Sequence, residues 1–279
     1  MAEPLPPDST GAPGLAAMAI SPTGTRGRRG LTLALQVAVF AILVGGWQVL
    51  ADTGLIDEFF FSRPSDIAAQ TWRWLASGFI WPHLAVTLAE AMMAFVIGTV
   101  AGLAAGFAFA RVELLARVFD PYIRIFNALP RVILAPILIL WFGLGMASKV
   151  ALGVTLVFFV VFFNTFQGIR EVDPIVVNNA RMLKATDRQL VRHVYLPSAM
   201  AWIFSSLHTS IGFALVGAVV GEYIGSARGI GYVVAQAQGV FDTASVFAGL
   251  ILTSAVVLLI DLAIHRLERY LLRWRPGQS

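Results

Sequence analysis

NNARMLKATDRQLVRHVYLP, residues 178–197, is polar, charged and patterned like a helix, yet it lies between two apolar runs, KVALGVTLVFFVVFFNTFQGI at 149–169 and SAMAWIFSSLHTSIGFALVGAVVG at 198–221. Each flanking run reaches the roughly 20 apolar residues that cross a bilayer. The polar stretch is therefore a connection outside the membrane. At helical spacing Ala180, Leu183, Leu190, Val191 and Val194 gather toward one face, while Arg181, Arg188 and Arg192 project elsewhere. This predicts an amphipathic helix pair, suited either to the lipid interface or to docking on a soluble partner.

Working outward, the same test gives spans at 31–50, 84–110, 125–145, 149–169, 198–221 and 244–264, six in all. Composition agrees: 58% of residues are hydrophobic and 13% charged, with a mean hydropathy of +0.78, against ~45–50% apolar in soluble domains. The expected fold class is an all-α integral membrane protein. Pro130, Arg131 and Pro136 interrupt the start of the third span and predict a partly unwound entry there. The first run is longer than the core of a signal peptide and has no small-x-small cleavage site after it, so it reads as a span.

Residues 1–30 lack any hydrophobic period and read as a disordered tail. Residues 51–83, with Trp72, Trp74 and Trp81, read as an external helix at the interface, and their acids (Asp52, Asp57, Glu58, Asp66) as isolated and solvated. A core domain at 84–267 with its connecting loop at 170–197 follows, then a tail at 268–279. Fifteen of the twenty Lys and Arg residues fall in the N-terminal tail, the 111–124 and 170–192 connections and the C-terminal segment. The positive-inside rule then places both termini and residues 178–197 in the cytoplasm.

Several functions are excluded or left without support. There is no cysteine, so disulfide, thiolate and Cys-metal chemistry are absent, and the four histidines lack metal-ligand spacing. The net charge of +4 is not gathered into basic patches interleaved with aromatics, so nucleic acid is not an expected partner. No glycine-rich phosphate loop ending in Gly-Lys-Ser/Thr occurs, and no catalytic constellation is visible.

The 178–197 segment resembles the cytoplasmic signature of ABC importer permeases: Glu-Ala-Ala, three residues, Gly, nine residues, an aliphatic residue, one residue, Leu-Pro. Asn178, Asn179 and Ala180 fill the first three places, Lys184 the glycine place, Val194 the aliphatic place and Leu196-Pro197 the end, with Leu183 and Ala185 beside the turn. ALPRVILAPILILWFGLG at 128–145 and GAVVGEYIGSARGIGYVVAQAQ at 217–238 resemble the nitrate, sulfonate and taurine branch, over about 83–270 of the chain. The resemblance implies a type I importer permease in the inner membrane, whose coupling helices between the fourth and fifth spans insert into an ATPase. It further implies two ATP-binding subunits on the cytoplasmic face, a second and identical permease copy, an external substrate-binding protein and a small anionic substrate. No cofactor is expected on this chain, ATP and Mg residing on the partner. Two departures stand out: Asn178 replaces Glu, and Lys184 replaces a glycine that tolerates φ > 0. Either the turn at Lys184 is reshaped or a left-handed residue is retained at a cost.

Polar groups inside spans are costly and are functional candidates. Glu90, one turn into the second span as read, is either a pathway carboxylate or a structural partner. Ser205 and Thr209 near the start of the fifth span serve either the translocation path or helix packing, and Asn164 in the fourth span is a further path candidate. His208 falls where the resembling permeases place a basic residue, so it meets an anion in the path or bridges two helices. Arg131 either snorkels to headgroups or belongs to an inner gate. Glu222 pairs with Arg228 to fix the outer loop or meets the docked binding protein, and Gly229 and Gly231 punctuate that loop before a short re-entrant or surface helix. Gly98, Gly102 and Gly106 form a small-xxx-small stripe whose partner helix the sequence leaves open.

Two alternatives remain at this level. A stand-alone secondary transporter or channel calls for midplane charges or an inverted repeat, and neither is clear. The second is an importer of pyrimidine-type or aromatic compounds, which relatives in the same branch also carry.

Overall fold

The computed structural model describes residues 25–271, and every regular element among them is helical. In chain order these are α1 (Thr25–Asp52), α2 (Glu58–Phe61), α3 (Pro64–Ala76), α4 (Ile80–Arg111), α5 (Glu113–Ala128), α6 (Ala135–Phe142), α7 (Met146–Arg170), α8 (Pro174–Met182), α9 (Asp187–Leu190), α10 (Leu196–Ile224), α11 (Ile230–Gly239) and α12 (Thr243–Leu271). Among the described residues five single stretches are long and apolar enough to span, Gly30–Asp52, Ile80–Arg111, Met146–Arg170, Asp187–Ile224 and Thr243–Ile264, and the bent pair Glu113–Ala128 and Arg131–Phe142 makes a sixth when taken as one broken span. Of the described residues, those up to Val49 form one compact unit and those from Leu50 onward a second. Helix α1 begins at Thr25, inside the expected tail; the rest of that tail and most of the expected C-terminal tail lie outside the described residues.

In the second unit α7 is the central helix, packed between α4 and α10. Small residues make this possible. A Cβ on Gly98, Gly102 or Gly106 of α4 would lie 2.7–2.8 Å from Val157, from Val161 and Phe158 O, or from Thr165 and Phe162 O of α7. The partner of the glycine stripe is thus α7 of the same chain. On the other side of α7, Gly153 faces Gly217 of α10, and Ala91, Ala94, Val150, Val157, Val161, Ala214, Leu215 and Ala218 fill the core between the three helices. With lipid as solvent, such close packing supplies much of the attraction that burial supplies in water.

The expected third span, 125–145, is not continuous. Helix α5 ends at Ala128, and the chain bends by 85° before a 3₁₀ turn at Arg131–Leu134 leads into α6. Pro130 lacks the N–H needed to continue the helix, and its ring pushes Leu129 to the extended ψ of 132°. Residues 125–128 therefore end an amphipathic helix, stapled on its polar side by Arg117–Glu113 at 2.6 Å and Arg124–Asp120 at 2.8 Å. Its Val118, Phe119, Tyr122, Ile125 and Phe126 are exposed, a pattern for lying in the interface.

The 51–83 segment also differs from its reading. Trp74 is buried with Ile80, Val233, Ala248 and Leu252, while Trp72 and Trp81 stay exposed. The acids are not all isolated: Arg63 meets Glu58 at 2.8 Å and Asp52 at 3.6 Å, and Asp57 caps α2 through Phe59 N. Helix α4 starts four residues before the expected boundary, at Ile80.

Candidate functional site

At one end of the bundle, residues 171–195 form a hook. Asp173 opens α8 by accepting from Ile175 N at 2.8 Å, with Pro174 preorganised at the first helical position. The helix closes where Lys184 takes φ = +61°, its N–H donating to Arg181 O at 2.8 Å and Ala185 N to Ala180 O at 3.0 Å. Thr186 then begins α9 with a capping box, accepting from Gln189 N while its own N–H donates to Gln189 Oε1 at 2.8 Å. A π-helical turn, Val191–Tyr195, runs directly into α10, so Asp187–Ile224 is one 38-residue helical stretch. Leu190, 1% exposed, anchors the hook, and Arg111 at the end of α4 reaches Asp187 at 3.3 Å and the Tyr195 ring at 4.9 Å.

The left-handed turn separates residues that helical spacing had grouped. Leu183 does not share a face with Leu190: it is 85% exposed, next to Met182 at 81%. Asn178, Asn179, Leu196 and Pro197 are exposed, and Ala180, Ala185 and Val194 half-buried. The turn has kept the geometry that a glycine would adopt, with lysine bearing the strain. Lys184→Gly is therefore expected to raise stability by about 1 kcal/mol, read as an upward shift in the thermal midpoint of the detergent-solubilised chain.

At the opposite end a polar cluster is sealed in the bundle. Glu222 of α10, 1% exposed, accepts from Thr87 Oγ1 of α4 at 2.7 Å and from Gly231 N at 2.8 Å. Ile230 N donates to Thr87 Oγ1 at 2.9 Å and Gly229 N to His83 Nδ1 at 3.2 Å. Gly229 has φ = +109° and Gly231 lies against Val219 O, so both positions require the absence of a side chain. Lys149 of α7, 1% exposed, donates to Leu144 O and to Gly145 O, the latter at 2.9 Å.

This corrects two expectations. Glu222 does not pair with Arg228, which is exposed and has no acidic partner among the described residues; it is also inside α10 and inaccessible to a docked protein. The reason is α11, whose unsatisfied first N–H groups attract a carboxylate. Glu90 is ten residues into α4, about 15 Å from its start, and is 2% exposed, one turn along the helix from the buried Thr87.

The remaining candidates divide. Ser205 and Thr209 lie on the exposed stripe of α10, with Thr209 Oγ1 donating to Ser205 O at 3.3 Å. His208, beside them, reaches across to Asp261 of α12, Nδ1 to Oδ1 3.4 Å. Asn164 lies on α7 and donates to Val160 O at 2.8 Å. Arg131 bonds the Asn127 side chain and places its guanidinium 4.6 Å over the ring of Phe159, thirteen residues into α7 and well away from a helix end. Thus Ser205, His208 and Thr209 come together, as do Glu222, Gly229 and Gly231, while Asn164, Arg131 and Glu90 stand apart from the groups expected for them.

Thr87, Lys149 and Asp261 escaped the sequence reading. A lone acid in ILTSAVVLLIDLAIH was a signal of the kind that intramembrane charge provides. Lys149 sits at the edge of an apolar run, where it is indistinguishable from an ordinary flanking charge.

Residues 98–273, from the glycine stripe through the hook and into α12, match the family described as binding-protein-dependent transport system inner membrane component. The chain belongs to this family. The permease is 34% identical over 239 residues to the putative aliphatic sulfonates transport permease protein SsuC of Bacillus subtilis (strain 168), covering 84% of this chain and 85% of that one. It is 32% identical over 245 residues to the riboflavin transport system permease protein RibX of Chloroflexus aurantiacus, covering 88% and 91%. It is 27% identical over 245 residues to the taurine transport system permease protein TauC of Escherichia coli (strain K12), covering 86% and 89%. Among solved structures, the inward-facing MetNI methionine ABC transporter covers 71% of this chain and 96% of its own, with a TM-score of 0.56 at 22% identity. The permease shares that fold, and the importer reading is favoured over the stand-alone transporter.

Proposed function

We propose that this permease, with a second identical copy, forms the membrane pathway of an ATP-driven importer for small sulfonated organic anions, the hook facing the cytoplasm. The observation that carries it is the hook: two large apolar side chains, Met182 and Leu183, stand exposed on a turn joined without a break to a membrane-spanning helix. Exposed apolar residues on a rigid projection are docking groups. Each copy receives one ATPase subunit in this arrangement, and ATP and Mg are bound there. Orientation is supported by charge, since Arg111, Arg117, Arg124, Arg170, Arg181, Lys184, Arg188 and Arg192 cluster at the hook end, against Arg63, Arg73, Lys149 and Arg228 at the other.

The mechanism follows from continuity. ATP-driven closure of the ATPase pair moves the hook, the π turn and α10 move with it, and the far end of α10 carries Glu222 and the first turn of α11. The two ends of the bundle are thus mechanically joined, as alternating access requires. The stripe of Ser205 and Thr209, with His208 beside it, supplies hydroxyls and an imidazole for an anion on the pathway. The substrate class rests on the sulfonate and taurine relatives, and the external binding protein performs the first selection.

The test is co-purification of the chain with an ATPase subunit and a binding protein, followed by ATP hydrolysis in lipid. The expected result is a stable complex whose hydrolysis rises when binding protein loaded with an alkanesulfonate or taurine is added. Stimulation by riboflavin-loaded protein alone would reassign the substrate, and solute movement by the chain without any ATPase would reject the importer reading.

A further inference from the structure

The start of α4 and the loop leading into α11 frame a cavity of about 600 Å³ at the end of the bundle opposite the hook, within the size range of small-molecule sites. Phe79 and His83 line one side of it, Arg228, Tyr232 and Gln236 the other. His83 is held from three directions. Its ring stacks on Tyr232 at 6.0 Å and 13°, tilts against Phe79 at 5.1 Å, and accepts at Nδ1 from Gly229 N at 3.2 Å. A ring nitrogen that accepts carries no proton, so the neutral imidazole holds its hydrogen on Nε2, and Nε2 has no protein partner among the described residues. Arg228 is fixed through its backbone: Ser226 Oγ donates to Arg228 O at 2.8 Å, and the next residue, Gly229, is tied to His83. Its side chain is exposed, and its guanidinium meets no acid among the described residues. No residue lining the cavity is acidic. The carboxylate of Glu222 lies behind Gly229, 1% exposed and turned to Thr87 and Gly231 N.

We infer that this cavity binds the oxyanion head of a small sulfonated anion at the outer mouth of the permease. Arg228 supplies the charge, His83 Nε2–H and the Gln236 amide direct the sulfonate oxygens, and the Phe79 and Tyr232 rings take the apolar remainder. The selection is chemical: a sulfonate only accepts hydrogen bonds, and the groups around the cavity are donors or, like the Tyr232 hydroxyl, able to donate. The backbone of α11 is not the source of the attraction, because the N–H groups of Gly229, Ile230 and Gly231 are already spent on His83, Thr87 and Glu222. An anionic phospholipid headgroup presents the same chemistry as a sulfonate, and the test separates the two. The assignment of this end to the exterior, and of the sulfonate class, rests on the function proposed above, whereas binding is read on the chain alone, so a missing ATPase complex and a missing anion site are separate results.

The test is saturation-transfer NMR of ethanesulfonate on the full chain in phosphatidylcholine nanodiscs, with ethyl methyl sulfone as the uncharged analogue. The expected result is saturable binding of ethanesulfonate and none of the sulfone. Affinity should fall roughly ten- to a hundredfold in Arg228→Gln, an exposed position where the fold is not at risk, and stay at the wild-type value in Arg73→Gln, which removes an exposed arginine of α3. No saturable binding in the wild type, or equal affinity in Arg228→Gln and wild type, overturns the proposal, as does an equal fall in Arg73→Gln, which would reduce the effect to general surface charge. If Arg228→Gln keeps its ethanesulfonate affinity but no longer retains the external binding protein, Arg228 is a protein-docking contact instead. Repeating the titration in phosphatidylglycerol nanodiscs, at an ionic strength that screens their surface charge, separates the two sources of the oxyanion. Unchanged, Arg228-dependent binding leaves the free sulfonate as the occupant; loss of binding there assigns the cavity to an anionic headgroup and overturns the sulfonate assignment.

Discussion

Gly217→Val is expected to abolish recovery of folded permease. Helices α7 and α10 touch backbone to backbone at this point: a Cβ on Gly217 would lie 2.4 Å from Gly153 Cα, 2.7 Å from Gly153 N and 3.3 Å from Leu156 Cδ1. The first two are main-chain atoms of a helix that is itself wedged between α4 and α10, so no rotamer change relieves the clash. A Cβ on Gly153 itself would lie 2.6 Å from Ala94 Cβ of α4, so α7 has no room to move away from α10. Overpacking of this kind costs about 3 kcal/mol or more, and in a bilayer there is little water-driven association to offset it. The control is Gly212→Val, in the same helix, where a Cβ meets no atom within 4 Å; it should elute and melt like the wild type. Size-exclusion profiles and thermal unfolding in detergent check both, and a Gly217→Val protein with an unchanged profile would mean that α7 and α10 do not approach as described.

How far the sequence carried this structure depends on what each signal measures. Apolar runs measure burial in lipid, and they located every long helix. At 125–145 they mark one apolar run, and the interruption expected at Pro130 and Arg131 is present there as a 3₁₀ turn between two helices at 85°. Hydropathy does not see direction; Pro130 and the extended residue before it do. The small-xxx-small stripe of α4 was legible, but its partner was not, because Gly98, Gly102 and Gly106 state only that a backbone comes close. The hook was readable as a helix pair with a break, yet Leu183 was placed with Leu190 because a single helical period was applied across Lys184, whose positive φ reverses the chain.

The candidate site was less legible for a related reason. Glu222 and Arg228 are six residues apart and look like a pair, whereas the partners of Glu222 are Thr87, 135 residues away, and the N–H of Gly231. A backbone donor leaves no mark in a sequence except the glycines that let it approach, and Gly229 and Gly231 were noticed only as loop punctuation. Likewise nothing near His208 in the sequence points to Asp261 of α12, which lies 3.4 Å from it. In each case the missing information was the identity of the facing helix.

On the docking role proposed for the hook, replacing Met182 and Leu183 together by aspartate is expected to prevent association with an ATPase subunit while leaving the fold intact. At 81% and 85% exposure these side chains support nothing within the chain, so their loss costs little stability. Their contribution appears only on docking, where burying two large apolar side chains is worth about 3–6 kcal/mol, or two to four orders of magnitude in affinity. Two aspartates would add buried unpaired charge to that loss. The contrasting variant is Leu190→Asp: Leu190 is 1% exposed, so a charge there should unfold the hook and lower the melting temperature of the isolated chain. Co-purification and thermal unfolding measured on the same preparations distinguish the two. Loss of the ATPase with an unchanged melt in the double aspartate variant, against a lowered melt in Leu190→Asp, assigns docking to the tip of the hook and support to its root; a double variant that still carries its ATPase at wild-type ratio would place the contact on α8 or the π turn instead, and with it the path by which ATP-driven motion enters α10.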